Sequence, residues 1–194
     1  MAVLRSIRLF ALLVAALAGL LFAPPHAQES SSAGRLKATE WQIKGAYLYN
    51  FALFTRWPAA AFKGKDSPFV IAILGDDPFG APLDDSLVKE QVNGRPIRIV
   101  RAPTGAAVPE CHLLFISVSE KRRLQEIFDS ISGKPIFTVA DFEPFCQVGG
   151  GARFRKDGRN IRLVMNPGAI RAAGLRVDAE LLQMATLKET EPRK

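Results

Sequence analysis

Three apolar runs without alternation limit most strongly what this chain can fold into. They are residues 69–74 (FVIAIL), 113–117 (LLFIS) and 136–140 (IFTVA). Strands that are covered on both faces have this character, because neither face meets water. A fourth segment, residues 96–102, alternates apolar and polar side chains and is expected to be a half-exposed strand.

Helical patterns separate these strands. Residues 79–89 and 120–131 are expected to be helices, which gives the alternation of strand and helix typical of a parallel sheet. Two short strands, within residues 152–165, are joined by Asp157-Gly158 and predict a hairpin. Terminal helices are expected at residues 167–173 and 179–187. The sequence therefore predicts a single α/β domain, mostly parallel, with helices on both faces of the sheet.

An aromatic helix is expected to precede the first buried strand. Thr39 is a suitable N-cap, and Pro58 should end the helix at the preceding residue. At 3.6 residues per turn, one stripe contains Ile43, Tyr47, Phe51 and Phe54. The stripe favours a core-packing helix, and an aromatic ligand box is the alternative.

Residues 1–27 have the pattern of an export signal. Arg5 and Arg8 precede an apolar run, and Pro25-His26-Ala27 is a suitable cleavage site. We expect cleavage after Ala27, then a disordered leader (residues 28–38), the α/β domain (residues 39–187) and a charged tail (residues 188–194). Loss of the two arginines lowers the formal charge from +7 to +5. A weakly basic exported protein is not expected to bind nucleic acid.

Catalytic and metal-binding motifs are absent from the sequence. Outside the predicted signal, the chain has one histidine, His112, which opens a buried strand and is expected to be a packed or surface side chain. There is no Gly-x-Ser-x-Gly, His-Glu-x-x-His or Cys-x-x-Cys motif. We therefore expect no enzyme activity, no cofactor and no metal.

Polar residues follow two of the predicted parallel strands. Asp76 and Asp77 follow the first, and Ser117 ends another. Ligands bind at this edge of open α/β sheets, so these residues are candidates for a ligand crevice. A periplasmic protein that senses a small solute is the corresponding function. Turn residues and helix caps are the alternative interpretation.

Cys111 and Cys146 are the only cysteines. Cys111 precedes a strand and Cys146 follows the next one, so parallel strands would place them toward opposite edges. A disulfide requires Cα atoms within about 7 Å, and a bond between these two is disfavoured. Cys146 is expected to be an accessible thiol that could bridge two chains. An inert buried cysteine is the alternative.

Four arginines decorate the predicted hairpin: Arg153, Arg155, Arg159 and Arg162. Charged side chains on an edge hairpin discourage unwanted strand pairing. A phosphate-binding patch is the alternative interpretation.

Several segments together resemble the YfiR-like family of exported bacterial proteins. They are IKGAYLYNFALFTRWP (43–58), ILGDDPFG (73–80), HLLFISVSE (112–120), FTVADFEPFCQVGG (137–150) and IRLVMNPGAIRAAGLRVDAELLQMA (161–185). The resemblance implies a periplasmic α/β protein, commonly dimeric, that represses an inner-membrane diguanylate cyclase by binding its periplasmic sensor domain. Lower cyclic di-GMP and less biofilm would follow.

The resemblance also implies redox control through cysteines. Cys146 matches a cysteine of the family, but Ala152 stands where its local partner would be expected. A short-range disulfide is therefore missing.

Two surfaces are expected to contact the partner. One is the loop of residues 142–151, with Phe142 and Phe145 as exposed anchors. The other is the segment of residues 175–178, where Arg176 could pair with an acidic group, next to Asp178.

Overall fold

The computed structural model describes residues 29–187 and the side chains of residues 40–187. The predicted signal peptide (residues 1–27) and charged tail (residues 188–194) lie outside this range. The chain divides into two units, Met1–Lys37 and Ala38–Lys194. In the described range, no helix is both long and apolar enough to cross a lipid bilayer.

The described residues form helices and strands in alternation. The α-helices are α1 (Glu29–Leu53), α2 (Ala81–Leu87), α3 (Leu124–Ser130), α4 (Pro167–Ala172) and α5 (Ala179–Gln183). The strands are β1 (Thr55–Arg56), β2 (Phe69–Leu74), β3 (Gln91–Val92), β4 (Arg95–Ala102), β5 (Leu113–Ile116), β6 (Phe137–Ala140), β7 (Ala152–Asp157), β8 (Asn160–Met165), β9 (Arg176–Val177) and β10 (Ala185–Leu187). Short 3₁₀ turns lie at Ala59–Ala61, Val118–Arg123 and Phe145–Val148.

Eight strands form one sheet, in the order β10-β8-β7-β6-β5-β2-β4-β3. β2 is parallel to both neighbours, β4 and β5, and β6 is parallel to β5. The hairpin β7–β8 is antiparallel, while its flanking pairs with β6 and β10 are parallel. β3 pairs with β4 in the antiparallel direction, and β1 and β9 form a separate antiparallel pair. The predicted α/β class, the mostly parallel sheet and the hairpin are confirmed.

The sheet has a hydrophobic core on each face. Along β2, Phe69, Ile71 and Ile73 belong to the core that α1 and α2 cover. The alternate residues Ala72 and Leu74 belong to the core that α3 covers. All six residues of β2 are buried, as the absence of alternation predicts.

Helix α1 packs its aromatic side against β6 and β7. The buried ring of Phe51 stacks on Phe137 and Phe154, with centroids 5.1 and 6.0 Å apart. Stacked aromatic pairs of this kind add to the stability that burial already provides. Phe51 is thus a core residue, as the core-helix interpretation predicts.

The buried stripe of α1 differs from the expected one. Ile43, expected inside, is 40% exposed, whereas Lys44 and Leu48 are buried. Lys44, Leu48 and Phe51 have the i, i+4, i+7 spacing of one helix face. The difference arises because Lys44 turns inward to an acidic partner, which hydropathy cannot indicate.

The first helix begins at Glu29 instead of after Thr39. It therefore includes residues that we expected to form a disordered leader. Arg35, Leu36, Lys37 and Ala38 have high helix propensity, so no local signal forces a start at Thr39.

Helix α2 is shorter than the expected helix of residues 79–89. The carboxylate of Asp77 accepts hydrogen bonds from the N–H groups of Phe79 (2.8 Å) and Gly80 (3.2 Å). This Asx-type turn satisfies the backbone donors outside a helix, so α2 begins only at Ala81.

The expected helix of residues 120–131 is divided into a 3₁₀ turn and α3. The side chain of Ser117 caps the turn. The buried carboxylate of Glu120 accepts a hydrogen bond from the N–H of Gly105 (2.8 Å) and pairs with Arg123 (2.8 Å). These contacts hold the first turns in the tighter geometry.

The last expected helix, residues 179–187, ends early. Helix α5 stops at Gln183, and Ala185–Leu187 form β10, which pairs with β8. The backbone of residues 185–187 thus takes its hydrogen bonds from the sheet edge, a choice that the local sequence does not reveal.

Candidate functional site

The loop after β6 is folded into the core. Phe142 and Phe145, expected to be exposed anchors, are buried. The ring of Phe145 lies 5.8 Å from the rings of Phe142 and Phe128. The expectation of exposure was wrong because both rings belong to the core that α3 covers.

A glycine makes this close packing possible. A Cβ atom on Gly150 would overlap the ring of Phe145. Only glycine lets the backbone approach an aromatic ring so closely. One of the three consecutive glycines is therefore required by the packing of the loop.

Two ion pairs fix the start of the loop. The ammonium group of Lys44 lies 3.1 Å from the carboxylate of Asp141, and Arg153 pairs with Glu143. Lys44 also pairs with Glu40 at 2.9 Å. The pairs of Lys44 with Asp141 and of Arg153 with Glu143 could not be predicted from the sequence, because the partners lie in different elements of the fold.

Glu40 joins the same network to the hairpin. Its carboxylate accepts from Lys156 at 3.0 Å in addition to Lys44. Burial alone would raise the pKa of Glu40, but the two ammonium groups outweigh burial and hold the pKa below its usual range.

The cysteines are not bonded to each other. Cys146 is 2% exposed, its Sγ lies 3.6 Å from the carbonyl oxygen of Val164, and its own carbonyl accepts from Asn166 at 2.8 Å. The expectation of an accessible thiol was wrong, because the loop turns this side chain into the core. Ala152 is also buried, so the neighbouring position supplies no thiol.

Cys111 is half-buried and lies two residues before β5. Burial raises the pKa of its thiol to about 12. The thiolate is the reactive form, so this cysteine is nearly unreactive near neutral pH.

The crevice candidates lie together beyond the carboxyl ends of β2 and β5. Their side chains already form hydrogen bonds with the adjoining turns and loops. Asp77 accepts from Arg101 Nε at 2.6 Å as well as from the turn, and Asp76 accepts from Thr104 at 3.0 Å. Ser117 is buried and caps the following turn. Four cavities lie among the described residues. Asp76, Asp77 and Ser117 line none of these four.

His112 is packed in the interior of the protein, which is one of its two expected placements. Its Nδ1 accepts from the N–H of Val70 (2.9 Å), and its Nε2 donates to the carbonyl of Ala61 (3.1 Å). The ring is stacked between Phe62 and Phe69. Burial, with the positive charge of Arg95, lowers the pKa of this imidazole. The histidine is therefore a neutral structural residue.

Arg176 and Asp178 lie on and beside the short strand β9. Asp178 pairs with Arg56 of β1 at 3.0 Å. Arg176 lies opposite Arg56 in the β1–β9 pair and is exposed. Asp178 thus has an internal partner, whereas the side chain of Arg176 makes no hydrogen bond or ion pair within residues 40–187.

A groove of about 610 Å³ adjoins this segment, and we call it the C-terminal groove. It is lined by Pro167, Ile170, Arg171, Gly174, Leu175, Arg176, Val177 and Leu182. Apolar side chains form its walls, and the two arginines are exposed. Arg171 is a residue that sequence analysis did not identify, because only the fold brings α4 beside β9.

No group of three His, Cys, Asp or Glu side chains suited to a metal ion occurs among the residues described. The candidate residues thus divide into internally paired charges and a surface groove.

The chain was compared with known protein families. Residues 41–186 match the family model described as DUF4154, YfiR/HmsC-like. The match begins within α1 and ends within β10, so it includes nearly all of the sheet and every residue that lines the C-terminal groove.

Proposed function

This chain belongs to the YfiR/HmsC-like family, and we propose that it represses an inner-membrane diguanylate cyclase by binding the periplasmic sensor domain of that cyclase. Members of the family are periplasmic regulators of such cyclases. The family match over residues 41–186 is the observation that carries the proposal. Repression would lower cyclic di-GMP and reduce biofilm formation.

The proposal assigns no reaction to the chain. Members of the family are regulators and not enzymes, and the buried ionisable groups described above support the same role here. Lys44, Glu120 and Arg153 each pair with an internal partner, and His112 joins two backbone segments. Groups engaged in this way serve the fold.

The C-terminal groove is our candidate for the partner surface. A groove with apolar walls and two exposed arginines suits a hydrophobic side chain that has a carboxylate next to it. Asp178 contributes indirectly, because its pair with Arg56 fixes β1 against β9 and so positions Arg176.

Cysteine oxidation has no role in this proposal. Cys146 is buried, Ala152 offers no partner, and the Cys111 thiol is hardly ionised. We infer that the ion pairs of Lys44 and Arg153 keep the loop after β6 in place.

Binding of the purified chain, residues 28–194, to the isolated periplasmic sensor domain tests the proposal. Calorimetry should give saturable binding, and Arg176→Glu should weaken it about tenfold or more, because it reverses a charge in the contact. Arg122→Glu, an equal charge change on an exposed residue of the 3₁₀ turn, is the matched control and should bind as the parent does.

The possible failures are distinguishable. A folded parent chain that does not bind the sensor domain would refute the proposed function. Binding that Arg176→Glu leaves unchanged would refute only the assignment of the C-terminal groove.

A further inference from the structure

A groove of about 560 Å³ lies between α1 and α2, and we call it the aromatic groove. This volume falls in the range of about 300–1,000 Å³ that is usual for small-molecule sites. One wall belongs to α1, and the other belongs to α2 with the residues just before and after it. The aromatic groove shares no lining residue with the C-terminal groove, so it is a separate surface of the protein.

The face of α1 that lines the aromatic groove differs from the aromatic stripe expected from the sequence. Trp41, Gly45 and Tyr49 follow one another at intervals of four residues, so they lie on one side of the helix. A Cβ atom on Gly45 would lie only 3.2 Å from the side chain of Leu83 in α2. The glycine thus permits close approach of the two helices, and the larger side chains of Trp41 and Tyr49 border the space on either side of it.

Aromatic rings form much of the wall. Trp41 and Tyr49 are half-buried, and Phe79 lies edge-on to Trp41 with the ring centres 5.4 Å apart. The face of an aromatic ring attracts a cation, and tryptophan does so most strongly. The chain itself contains one such contact, because the ammonium group of Lys44 lies 3.8 Å from the ring centre of Trp41. That ammonium is already paired with two carboxylates, so its positive charge is balanced within the fold.

Glu90 is the only charged residue among those that line the aromatic groove. Its carboxylate accepts a hydrogen bond from the hydroxyl of Tyr49 at 2.8 Å, which places the negative charge beside an aromatic wall. Glu90 forms no ion pair in the part of the chain whose side chains are described. An unpaired carboxylate in an otherwise uncharged aromatic groove favours a positively charged occupant.

We propose that the aromatic groove binds a small organic cation, with its ammonium group against Glu90 and its apolar or aromatic body between α1 and α2. Apolar walls with a few polar groups that fix orientation are typical of such sites. The hydroxyl of Ser86, another lining group, already donates to the carbonyl of Leu83 at 2.9 Å, so Glu90 is the group that selects for charge. The inference goes beyond the proposed function, since it concerns another surface and holds whether or not the partner is a cyclase.

Three compounds that share an aromatic body and differ in charge test the proposal: phenylethylammonium, phenylethanol and phenylpropionate. Binding to the chain of residues 28–194 is followed by NMR through the indole N–H signals of its two tryptophans, at an ionic strength of about 0.01 M, where exposed charges are weakly screened. The cation should shift the Trp41 signal saturably and leave the Trp57 signal in place, because Trp57 does not line the groove. The alcohol should bind about fivefold more weakly than the cation, and the anion should bind more weakly still.

A charge variant tests the role of Glu90. Glu90→Gln keeps an acceptor for the hydroxyl of Tyr49 and removes only the charge. It should weaken binding of the cation about fivefold, equivalent to about 1 kcal/mol, and leave binding of the alcohol unchanged. Glu180→Gln, the same change at an exposed residue of α5, is the matched control and should bind both compounds as the parent does.

A second variant tests the groove itself. Ala46 is exposed on α1 and lines the groove, so Ala46→Leu should fill part of the space without disturbing the core. It should abolish binding of both the cation and the alcohol. Ala107→Leu, at an exposed position that lines none of the four cavities, is the control and should leave binding unchanged.

Several results would overturn the proposal. They are a Trp41 signal that the cation does not shift, equal shifts of the two tryptophan signals, and binding of the alcohol or the anion as tight as that of the cation. Unchanged binding of the cation to Glu90→Gln or to Ala46→Leu would also overturn it, because the cation would then bind elsewhere.

Discussion

The ammonium group of Lys44 in α1 lies 3.1 Å from the carboxylate of Asp141, which follows β6. The Lys44 side chain is 5% exposed, pairs also with Glu40 and lies 3.8 Å from the ring centre of Trp41. A buried ammonium group needs such partners, because its desolvation is costly. The contact therefore ties the loop that contains Cys146 to the first helix.

Lys44→Met should destabilise the fold by about 2–3 kcal/mol. Removal of one partner of a fully buried ion pair costs about 3–5 kcal/mol. The cost should be smaller here, because Asp141 and Glu40 are partly exposed to water. Urea unfolding measures the change. Lys156→Met is the matched control, since Lys156 pairs with the same Glu40 but is 66% exposed, and it should change stability by less than about 1 kcal/mol. Equal effects of the two variants would contradict the role of Lys44.

Stability should fall as the pH falls below 6.5, through His112. The pKa of the folded-state imidazole is lowered from 6.5, so the unfolded chain binds a proton more readily. The contribution of His112 to the free energy of unfolding is complete above pH 6.5 and is lost as the pH falls toward the lowered pKa. The loss amounts to about 1.4 kcal/mol for each unit by which the folded-state pKa is lowered. Unfolding free energies between pH 8 and pH 5 for the parent and His112→Gln test this. The parent should lose more stability than the variant, and parallel curves would refute it.

Thiol labelling should be slow in the folded protein. Burial raises the pKa of Cys111 to about 12, so its thiol is protonated at pH 8, and Cys146 is buried. A thiol-reactive chromophore should label both cysteines rapidly only in denaturant. Cys111→Ser and Cys146→Ala should retain binding to the sensor domain with or without reductant. Rapid labelling of the folded chain, or binding that depends on reductant, would contradict the account.

Gly150→Ala should destabilise the loop after β6 by about 1–3 kcal/mol, the usual cost of overpacking. The added methyl group would overlap the ring of Phe145. Gly64→Ala is the control, because a Cβ there meets nothing within 4 Å. Thermal unfolding measures both variants. A Gly150 variant as stable as the control would show that the loop adjusts freely.

The parts of the fold that follow from local signals could be predicted. The buried strands appear as apolar runs, and Asn166-Pro167 indicates a helix start, where Asn166 Oδ1 accepts from the N–H of Ala169 at 3.0 Å. Asp157-Gly158 likewise indicates the hairpin turn. Each of these signals depends on residues close together in sequence.

The candidate site could be predicted only in part, because its contacts join distant segments. Aromatic loop residues such as Phe142 and Phe145 are suited both to partner contact and to core packing, and only the path of the loop decides. Lys44 is buried because Asp141 lies across the fold. Arg176 was identified from its segment, but its neighbour Arg171 comes from helix α4.

Measurement of the cellular concentration of cyclic di-GMP tests the proposed repression of a cyclase most directly. The chain is produced in a bacterium whose membrane cyclase has a periplasmic sensor domain, once with residues 1–27 and once without them. Only the form with residues 1–27 should lower cyclic di-GMP, and removal of the sensor domain should abolish the effect. Unchanged cyclic di-GMP, or an equal decrease with both forms, would contradict the proposed repression.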